Sequence, residues 1–333
     1  MSPKTIAIIG GLDADLVMIS NCIPNPGGKG ANSAIATHRT CHKKPARDEK
    51  EAGNQELKER KNVDKYSPAL EKAVTDDEYE DNIQVKMIGA VGDDRYGEQF
   101  IVELNENGVD TAGIVVVPDT RSSICFVMVE NHTRENRCLF TMGATATWKK
   151  EDFTKPEDLG NGMRPDLVVA QMEIAKDIVE TMIETAGKAG IDFCLNAAPA
   201  TPIMKHLYRH LTHLLVNESE AAIMSGRYRE EVNEDTWEII AQEFLSRGVK
   251  NVAITLGAKG AFYATRTESG HCPAYDVEVV DTTGAGDTFT GTYASDYLRQ
   301  KALGKWDIRS AVVRSNKAAA IAIQKVGALS CFS

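Results

Sequence analysis

A thirteen-residue stretch, VVDTTGAGDTFTG (Val279–Gly291), combines the residue types needed to transfer a charged group. The successive backbone N–H groups of Gly284, Ala285 and Gly286 can point at one spot, and the N-terminus of the helix predicted to follow adds its positive dipole end there. This arrangement is an anion hole suited to a phosphoryl group. Asp287 lies beside it, where a carboxylate can accept the proton of an attacking substrate hydroxyl. The alternative is that Asp287 only caps the helix.

Other polar side chains follow predicted strands, at the edge where α/β sheets bind ligands. Asp13 and Asp15, in the segment GGLDAD, come directly after the first strand, and Glu173 follows a later one. Turn formation is the alternative for the two aspartates, and helix capping is the alternative for Glu173. Asn217 and Glu220 have the same ambiguity, so residue type alone does not separate a site from local structure.

Short apolar runs alternate with amphipathic segments along the chain, which predicts an α/β fold. Thr5–Gly10 is typical of a buried strand, Gly28–Arg39 of a helix start, and Ile124–Met142 of a hairpin. The segment VEVV before the glycine-rich turn is interpreted as a further strand. We expect one domain over residues 1–333, with three layers and a mostly parallel central sheet flanked by helices.

The bulk composition excludes several function classes. The 333 residues carry a net charge of −10, which argues against a nucleic-acid or membrane partner. Seven cysteines without a CxxC pair indicate neither a zinc site nor a disulfide framework. GxxxxGK[ST] is absent, as is GxGxxG after the first strand, which weakens a dehydrogenase interpretation. No leader or apolar run of about 18 residues is visible, so a cytoplasmic location is expected, with the nucleus left open.

Residues Thr40–Asn82 differ in composition from the rest of the chain. The segment is dense in lysine, glutamate and aspartate and poor in large apolar residues. Such a segment buries too little apolar surface to offset its ordering entropy. We therefore interpret it as a charged, disordered insertion.

Taken together, the motifs resemble the ribokinase-like (PfkB-type) carbohydrate kinases. DTTGAGDTFTG matches the C-terminal signature of that family, and GGKGANSA (Gly27–Ala34) matches its N-terminal signature. Lesser landmarks fall in family order: GGLDAD, GAVGDDRYG, QME, NAAPA, VNESEA and TLGAKG. The resemblance covers most of the chain outside the charged insertion, and it implies the ribokinase-like fold.

The resemblance also implies roles for individual residues. Asp287 would be the general base, and the amides of residues 284–286 would form the anion hole. Glu173 would reach a sugar hydroxyl, and Lys29 would act mainly through its backbone. The residues expected to bind the sugar are Asp13, Asp15, Gly28, Lys29, Asn32, Glu173 and Asp287.

ATP, Mg²⁺ and K⁺ are the cofactors that the resemblance implies. Asn217 and Glu220 would hold the magnesium–phosphate assembly through water. Asp281, the carbonyl of Thr283 and Gly327 would bind the monovalent cation. The residues expected to border ATP are Asn217, Thr255, Gly257, Gly260, Gly286 and Asn316, although Gly257 and Gly260 are also typical of plain turns.

The sequence departs from the family pattern at the lid. Two lid strands normally precede GGKGAN, whereas here NPGGKGAN joins the flanking segments directly. We therefore expect those strands to be missing, with the hairpin within residues 121–142 as a reduced β lid. The homodimer that the family forms through its lid is correspondingly in doubt.

An ATP-dependent sugar kinase is the function expected from these residues, with sugar and ATP as its small-molecule partners. The acceptor would be a primary hydroxyl of a pentose, with D-ribose first. A nucleoside kinase is the second hypothesis, although no aromatic platform for a base is evident near Asp13. The third is a sugar- or nucleotide-binding pseudokinase whose turnover is impaired by the lid deletion.

Overall fold

The computed structural model describes residues 3–17, 25–42, 58–59, 83–129 and 136–324, with backbone only for 15–17, 25–27, 58–59, 126–129 and 136–140. Its main feature is a nine-stranded sheet. The strands of this sheet, in spatial order, are β14 (Ser269–Cys272), β13 (Ala261–Ala264), β12 (Asn251–Thr255), β11 (His213–Asn217), β10 (Asp192–Asn196), β9 (Leu167–Ala170), β1 (Lys4–Ile9), β5 (Ile83–Gly92) and β6 (Asp110–Val117).

Seven strands of this sheet, from β12 across to β6, run parallel to one another, and β13 and β14 add an antiparallel edge. The central strands are apolar without alternation; all four residues of β9 are buried. Continuous burial is expected of parallel strands covered on both faces. The predicted mostly parallel sheet is therefore confirmed.

Helices cover both faces of the sheet and form two separate cores. One face carries α1 (Lys29–Cys41), α2 (Arg95–Glu106), α6 (Ala285–Ala302) and α7 (Ile308–Ala322). The other carries α3 (Lys176–Ala189), α4 (Glu218–Ser225) and α5 (Trp237–Ser246). The result is the expected three-layer α/β architecture. Among the described residues, no helix is both long and apolar enough to cross a bilayer.

A second, four-stranded sheet lies at the end of β1. Its strands, in spatial order, are β3 (Asn25–Gly27), β2 (Asp13–Val17), β7 (Ser123–Val129) and β8 (Asn136–Thr141). The hairpin β7–β8 is present as predicted, but the expectation that it stands without further lid strands is wrong. The residues after β1 extend along β7 instead of forming a turn, and a three-residue β3 pairs with them. We call this four-stranded unit the lid sheet.

Two other sequence predictions need correction. The segment VEVV is not a strand, because Val279 and Val280 are exposed and the N–H groups of Val280 and Asp281 donate to the Ile323 carbonyl after α7 (2.8 and 3.1 Å). The charged insertion does not begin at Thr40, since α1 continues through a buried Cys41.

Within the former insertion, residues 58–59 form β4, which pairs with β15 (Tyr275–Asp276). The rest of the predicted disordered segment, residues 43–57 and 60–82, lies outside the described residues.

A buried histidine sits at the amino end of β11. Burial lowers the pKa of His213 to about 3; the Asp192 carboxylate acts in the opposite direction, and Lys250 and Lys301 lower the pKa further. Its ring contacts Tyr297 edge-on at 4.2 Å, and its Nδ1 is hydrogen-bonded to the Tyr293 hydroxyl at 2.9 Å. The imidazole is therefore neutral in the folded protein throughout the physiological pH range.

We expect His213 to make the folded state acid-sensitive. An unfolded histidine binds a proton near pH 6.5, whereas His213 in the folded state does so only near pH 3, so stability falls as pH drops through this window. Between pH 7.5 and 5.0 this linkage removes about 2 kcal/mol. In urea denaturation, the free energy of unfolding of His213→Asn should fall less between pH 7.5 and 5.0 than that of the parent, by about this amount. The control His206→Asn, at an exposed site, should show the same fall as the parent.

Candidate active site

The predicted general base meets a predicted sugar-binding residue where two helices begin. Asn32 lies in the first turn of α1 and Asp287 in the first turn of α6, and Asn32 Nδ2 donates to Asp287 Oδ2 at 3.0 Å. Both side chains are almost fully buried. The hydrogen bond fixes the carboxylate at the N-terminus of α6, at the carboxyl edge of the parallel sheet, where ligands of α/β proteins bind.

The start of α6, where the sequence predicts an anion hole, is formed by a glycine turn. Gly284 is the N-cap in the left-handed conformation (φ 77°), and its carbonyl accepts both the N–H and the hydroxyl of Thr288 (2.8 and 2.9 Å). A Cβ added at Gly286 would meet no atom within 4 Å, so the first turn faces open space. Asp287 is not the N-cap, so the capping alternative for this residue is excluded.

Two carboxylates converge on the loop after β1. A Cβ placed on Gly11 would lie 2.7 Å from Asp13 Oδ2 and 2.8 Å from Glu173 Oε2, so both groups approach the bare backbone there. Asp13 is the first residue of β2 and is buried, not part of a turn. Glu173 does not cap α3, whose N-cap is Ala175. The side chain of Asp15 lies outside the described atoms.

Glu173 is held among charges of the same sign. Burial raises its pKa well above the usual range, and the carboxylates of Asp13 and Asp287 raise it further. Lys29 offsets part of this effect, and its backbone N–H donates to Glu173 Oε2 at 3.0 Å. A carboxyl that is neutral more readily than usual can donate as well as accept hydrogen bonds, which suits contact with hydroxyl groups.

The segment GGKGAN, which leads into α1 and forms its first turn, packs tightly against these carboxylates. Gly28 has φ 87°, and a Cβ there would lie 2.7 Å from the backbone nitrogen of Asp13. The buried Gln171, which was not among the predicted site residues, donates to Ser33 Oγ (3.2 Å) and to the Lys29 carbonyl (3.5 Å). Its position two residues before Glu173, in the motif QME, is the one sequence signal that pointed to it.

Asn217 and Glu220 form a reciprocal capping box at the start of α4. Asn217 Oδ1 accepts from the Glu220 N–H (2.8 Å), and Glu220 Oε2 accepts from the Asn217 N–H (2.7 Å). Both residues therefore cap the helix, as the alternative interpretation of the sequence predicted. Burial raises the pKa of Glu220, the Asn217 N–H and the Lys29 charge lower it, and the Asp287 carboxylate raises it further, so this carboxyl lies within electrostatic range of Lys29 and Asp287.

The remaining predicted nucleotide residues lie around the β12–β13 connection. Gly257 and Gly260 both have positive φ (56° and 97°), and a Cβ on Gly260 would lie 2.1 Å from the Cys272 carbonyl. Asn316 Nδ2 donates to that same carbonyl at 3.2 Å. Thr255 Oγ1 reaches the Val216 carbonyl at 3.5 Å. These contacts fix the connection against β11, β14 and α7.

The structure describes only part of the predicted cation loop. Thr283 N–H donates to Asp281 Oδ1 at 2.9 Å, which forms a tight turn directly before Gly284. Gly327 lies outside the described residues. Within the described part of the chain, no cluster of three or more His, Cys, Asp or Glu side chains could hold a metal. The single carboxylate of Glu220 beside Asn217 suits only a Mg²⁺ ion that arrives with phosphates, because Mg²⁺ is usually bound by one or two carboxylates, waters and substrate oxygens.

The chain is similar in sequence to proteins of one family. Residues 81–333 match the family described as pfkB family carbohydrate kinase. A ribokinase of Schizosaccharomyces pombe is 29% identical, covering 98% of this chain and 93% of the relative. A ribokinase of Staphylococcus aureus (strain COL) is 32% identical, covering 72% of this chain and 76% of the relative.

The fold is also similar to that of solved structures. An Arabidopsis thaliana ribokinase complexed with ribose and ATP matches with a TM-score of 0.75 at 22% identity, covering 99% of this chain and 96% of that one. At this identity the likeness concerns the fold, including the three-layer architecture described above.

We expect Glu173→Gln to stabilise the fold. The pKa of Glu173 is higher in the folded state than in the unfolded state. The free energy of unfolding therefore falls as pH rises above the pKa of the unfolded state, and removal of the charge stabilises the protein most at alkaline pH. At pH 8 the midpoint of thermal unfolding should rise by about 2 °C, on the scale of 1 kcal/mol for a chain of this size, and the gain should shrink towards pH 5. Glu184→Gln, at an exposed glutamate paired with Lys188, is the matched control and should bring no gain. A gain of equal size in both variants would contradict the effect of the carboxylate cluster.

Proposed function

Because the chain belongs to the pfkB family of carbohydrate kinases and is an ATP-dependent sugar kinase, we propose that its acceptor is D-ribose and its product ribose 5-phosphate. The observation that carries this proposal is the hydrogen bond between Asn32 and Asp287 at the start of α6, beside the carboxylates of Asp13 and Glu173. The two relatives described above are both ribokinases, which supports ribose among the pentoses.

Asp287 acts as the general base in this proposal. As the sugar hydroxyl attacks the γ-phosphorus, its proton passes to the Asp287 carboxylate, an O–P bond forms, and the bond to the bridging β–γ oxygen breaks to release ADP. Asn32 keeps one carboxylate oxygen engaged and so leaves the other to face the acceptor. The N–H groups of Gly284, Ala285 and Gly286 stabilise the charge that develops on the phosphoryl oxygens.

The sugar contacts come from both sides of the loop after β1. Asp13 lies at the start of β2 and Glu173 follows β9, and we assign Asp15, two residues after Asp13, to the same set. The backbone of Gly28 and Lys29 together with the Asn32 side chain complete the set. A cluster of acceptors with one raised-pKa carboxyl suits a polyhydroxy ligand, because each hydroxyl both donates and accepts.

The nucleotide contacts extend from α4 to α7. Asn217 and Glu220 face the phosphates, Thr255, Gly257 and Gly260 follow the phosphates and ribose, and Asn316 borders the adenine. Mg²⁺ bound to the nucleotide supplies charge neutralisation of the phosphoryl oxygens. K⁺ would lie at Asp281, the Thr283 carbonyl and Gly327, where it would support the turn that begins the anion hole.

Impaired turnover, the third hypothesis given above, remains to be tested alongside the nucleoside kinase. The edge strand β3 of the lid sheet has three residues, and a lid that covers the sugar incompletely would admit water. Turnover assays with ribose, 2-deoxyribose and adenosine, each with an ATP-hydrolysis blank, separate the cases. Ribose turnover supports the proposal, adenosine turnover supports a nucleoside kinase, and ligand binding without turnover supports a pseudokinase.

Asp287→Asn should abolish phosphoryl transfer while ATP still binds. The amide keeps the size of the side chain but cannot take the proton, which should lower the rate on the order of 10²–10⁴-fold. Asp177→Asn, at an exposed aspartate in the first turn of α3, is the matched control and should retain parental turnover. If Asp287→Asn retains more than about half of the parental rate, Asp287 is not the base.

Activity should rise with K⁺ relative to Na⁺ at constant ionic strength. Asp281 begins the turn that carries the anion hole, and a site rich in carbonyl oxygens suits a large, weakly hydrated ion better than a small one. Asp281→Asn should flatten this response. A parent enzyme whose rate does not depend on K⁺ concentration would remove Asp281 from the role.

A further inference from the structure

The motif GDDRYG (Gly92–Gly97) has no part in the chemistry proposed above, yet its second aspartate makes contacts that reach the lid sheet. Asp94 is the N-cap of α2, and its Oδ1 accepts from the Gly97 N–H at 2.9 Å. The same carboxylate also accepts from Ser122, a residue 28 positions further along the chain, twice: from the hydroxyl at 2.7 Å and from the backbone N–H at 2.8 Å. One side chain therefore joins a core helix to the residue that precedes β7.

Three glycines enclose the segment that leads into β7. A Cβ on Gly92 would lie 2.2 Å from the Thr120 carbonyl oxygen and 2.6 Å from Ser122 N, and one on Gly143 would lie 2.3 Å from the Arg121 carbonyl oxygen. A Cβ on Gly97 would lie 3.2 Å from Ser122 Oγ. The backbone of residues 120–122 thus packs against glycines at distances that leave no room for a Cβ atom.

The far end of the hairpin is anchored at the same point. After β8, the Gly143 N–H donates to Ser123 Oγ at 3.1 Å and the Ala144 N–H donates to the Arg121 carbonyl at 2.8 Å. Ser123 Oγ also lies 3.0 Å from Thr145 Oγ1. Both chains that connect the hairpin to the core are therefore tied together. We call Asp94, Ser122, Ser123 and Gly143 the lid clasp.

A pair of neighbouring strands connects the lid clasp to the proposed sugar site. Ser123 is paired in register with Asp13, where β2 and β7 run parallel. Asp13 is one of the two carboxylates that converge at Gly11. A displacement of Ser123 therefore moves the strand that carries Asp13.

The electrostatics of Asp94 agree with this geometry. Burial raises the pKa of its carboxyl, but the hydrogen bonds from Gly97 and Ser122 more than offset this, and the pKa lies below its usual range. The carboxylate is therefore ionised at neutral pH, when charge-assisted hydrogen bonds are strongest.

We propose that Asp94 is a positioning residue that fixes the lid hairpin through Ser122 and, through the Ser123–Asp13 strand pair, sets the affinity for the sugar. The sugar part rests on the function proposed above, whereas the hairpin part does not. Asp94 does not touch the reacting atoms, so its loss weakens sugar binding and leaves nucleotide binding in place.

Two variants separate the lid clasp from the helix cap. Asp94→Ser keeps a good N-cap for α2, but the shorter side chain cannot reach Ser122. Ser122→Ala removes the hydroxyl and leaves the cap intact. Asp307→Ser is the matched control, because Asp307 is the N-cap of α7, accepting from Ser310 N–H, and lies outside the lid clasp.

Hydrogen exchange of the peptide spanning residues 120–129 measures the hairpin without any ligand. Both lid-clasp variants should exchange faster there, on the order of tenfold, because a lost charge-assisted hydrogen bond is worth about that factor in an opening equilibrium. The Asp307→Ser control should match the parent.

Sugar binding provides the second measurement. In both lid-clasp variants the KM and Kd for ribose should rise about tenfold, with the KM for ATP changed less than twofold, and the double variant should be no worse than Asp94→Ser. A general loss of stability would move both substrates together.

Three outcomes overturn the proposal: unchanged hairpin exchange in both variants, unchanged ribose Kd despite faster exchange, or an effect of Asp94→Ser that Ser122→Ala does not share. If the parent binds no ribose, the proposed function fails, and the exchange data alone decide the hairpin part.

Discussion

The arrangement of the active edge depends on one buried hydrogen bond, from Asn32 to Asp287. It joins the first turns of α1 and α6, two helices that pack on the same face of the sheet and are separated by 255 positions in the chain. Each helix N-terminus favours negative charge, so a carboxylate at their junction is stabilised where it is needed. The polar pair is held from both sides, and the carboxylate cannot turn away without leaving a buried amide unsatisfied.

The second constraint is that side chains and backbone approach each other closely at the site, which is possible only where the backbone carries glycine. Gly11 admits the carboxylates of Asp13 and Glu173, and Gly28 admits the backbone of Asp13. At each point a methyl group would fall within 3 Å of an existing atom. The cost is that burial, together with repulsion from Asp13 and Asp287, raises the pKa of Glu173, so its ionised form lowers the stability of the folded state. Such local instability is common where groups are arranged for chemistry.

The sequence predicted elements whose signal is local, and it failed where partners are distant. The apolar run of β1 and the small-residue start of α6 were evident from the chain itself. β2 was missed because its parallel partner β7 lies more than 100 positions away, and VEVV looked like a strand although Val280 bonds to the end of α7. The convergence of Asp13, Glu173 and Asp287 could be expected only through the family resemblance. Gln171 escaped notice because its inward direction is set by packing.

The three-residue β3 forms one edge of the lid sheet and contains Pro26, which has no N–H to offer. Exposed edges are where copies of a chain recruit one another, both in ordered assemblies and in aggregates. Pairing across an edge needs several consecutive hydrogen bonds to outweigh the rigid-body entropy of association. So short an edge is poorly suited to this, whereas the six residues of β8 give the opposite edge a longer template. Within the described residues, the two edges of the lid sheet therefore differ in the length of backbone that they offer for pairing with a further strand.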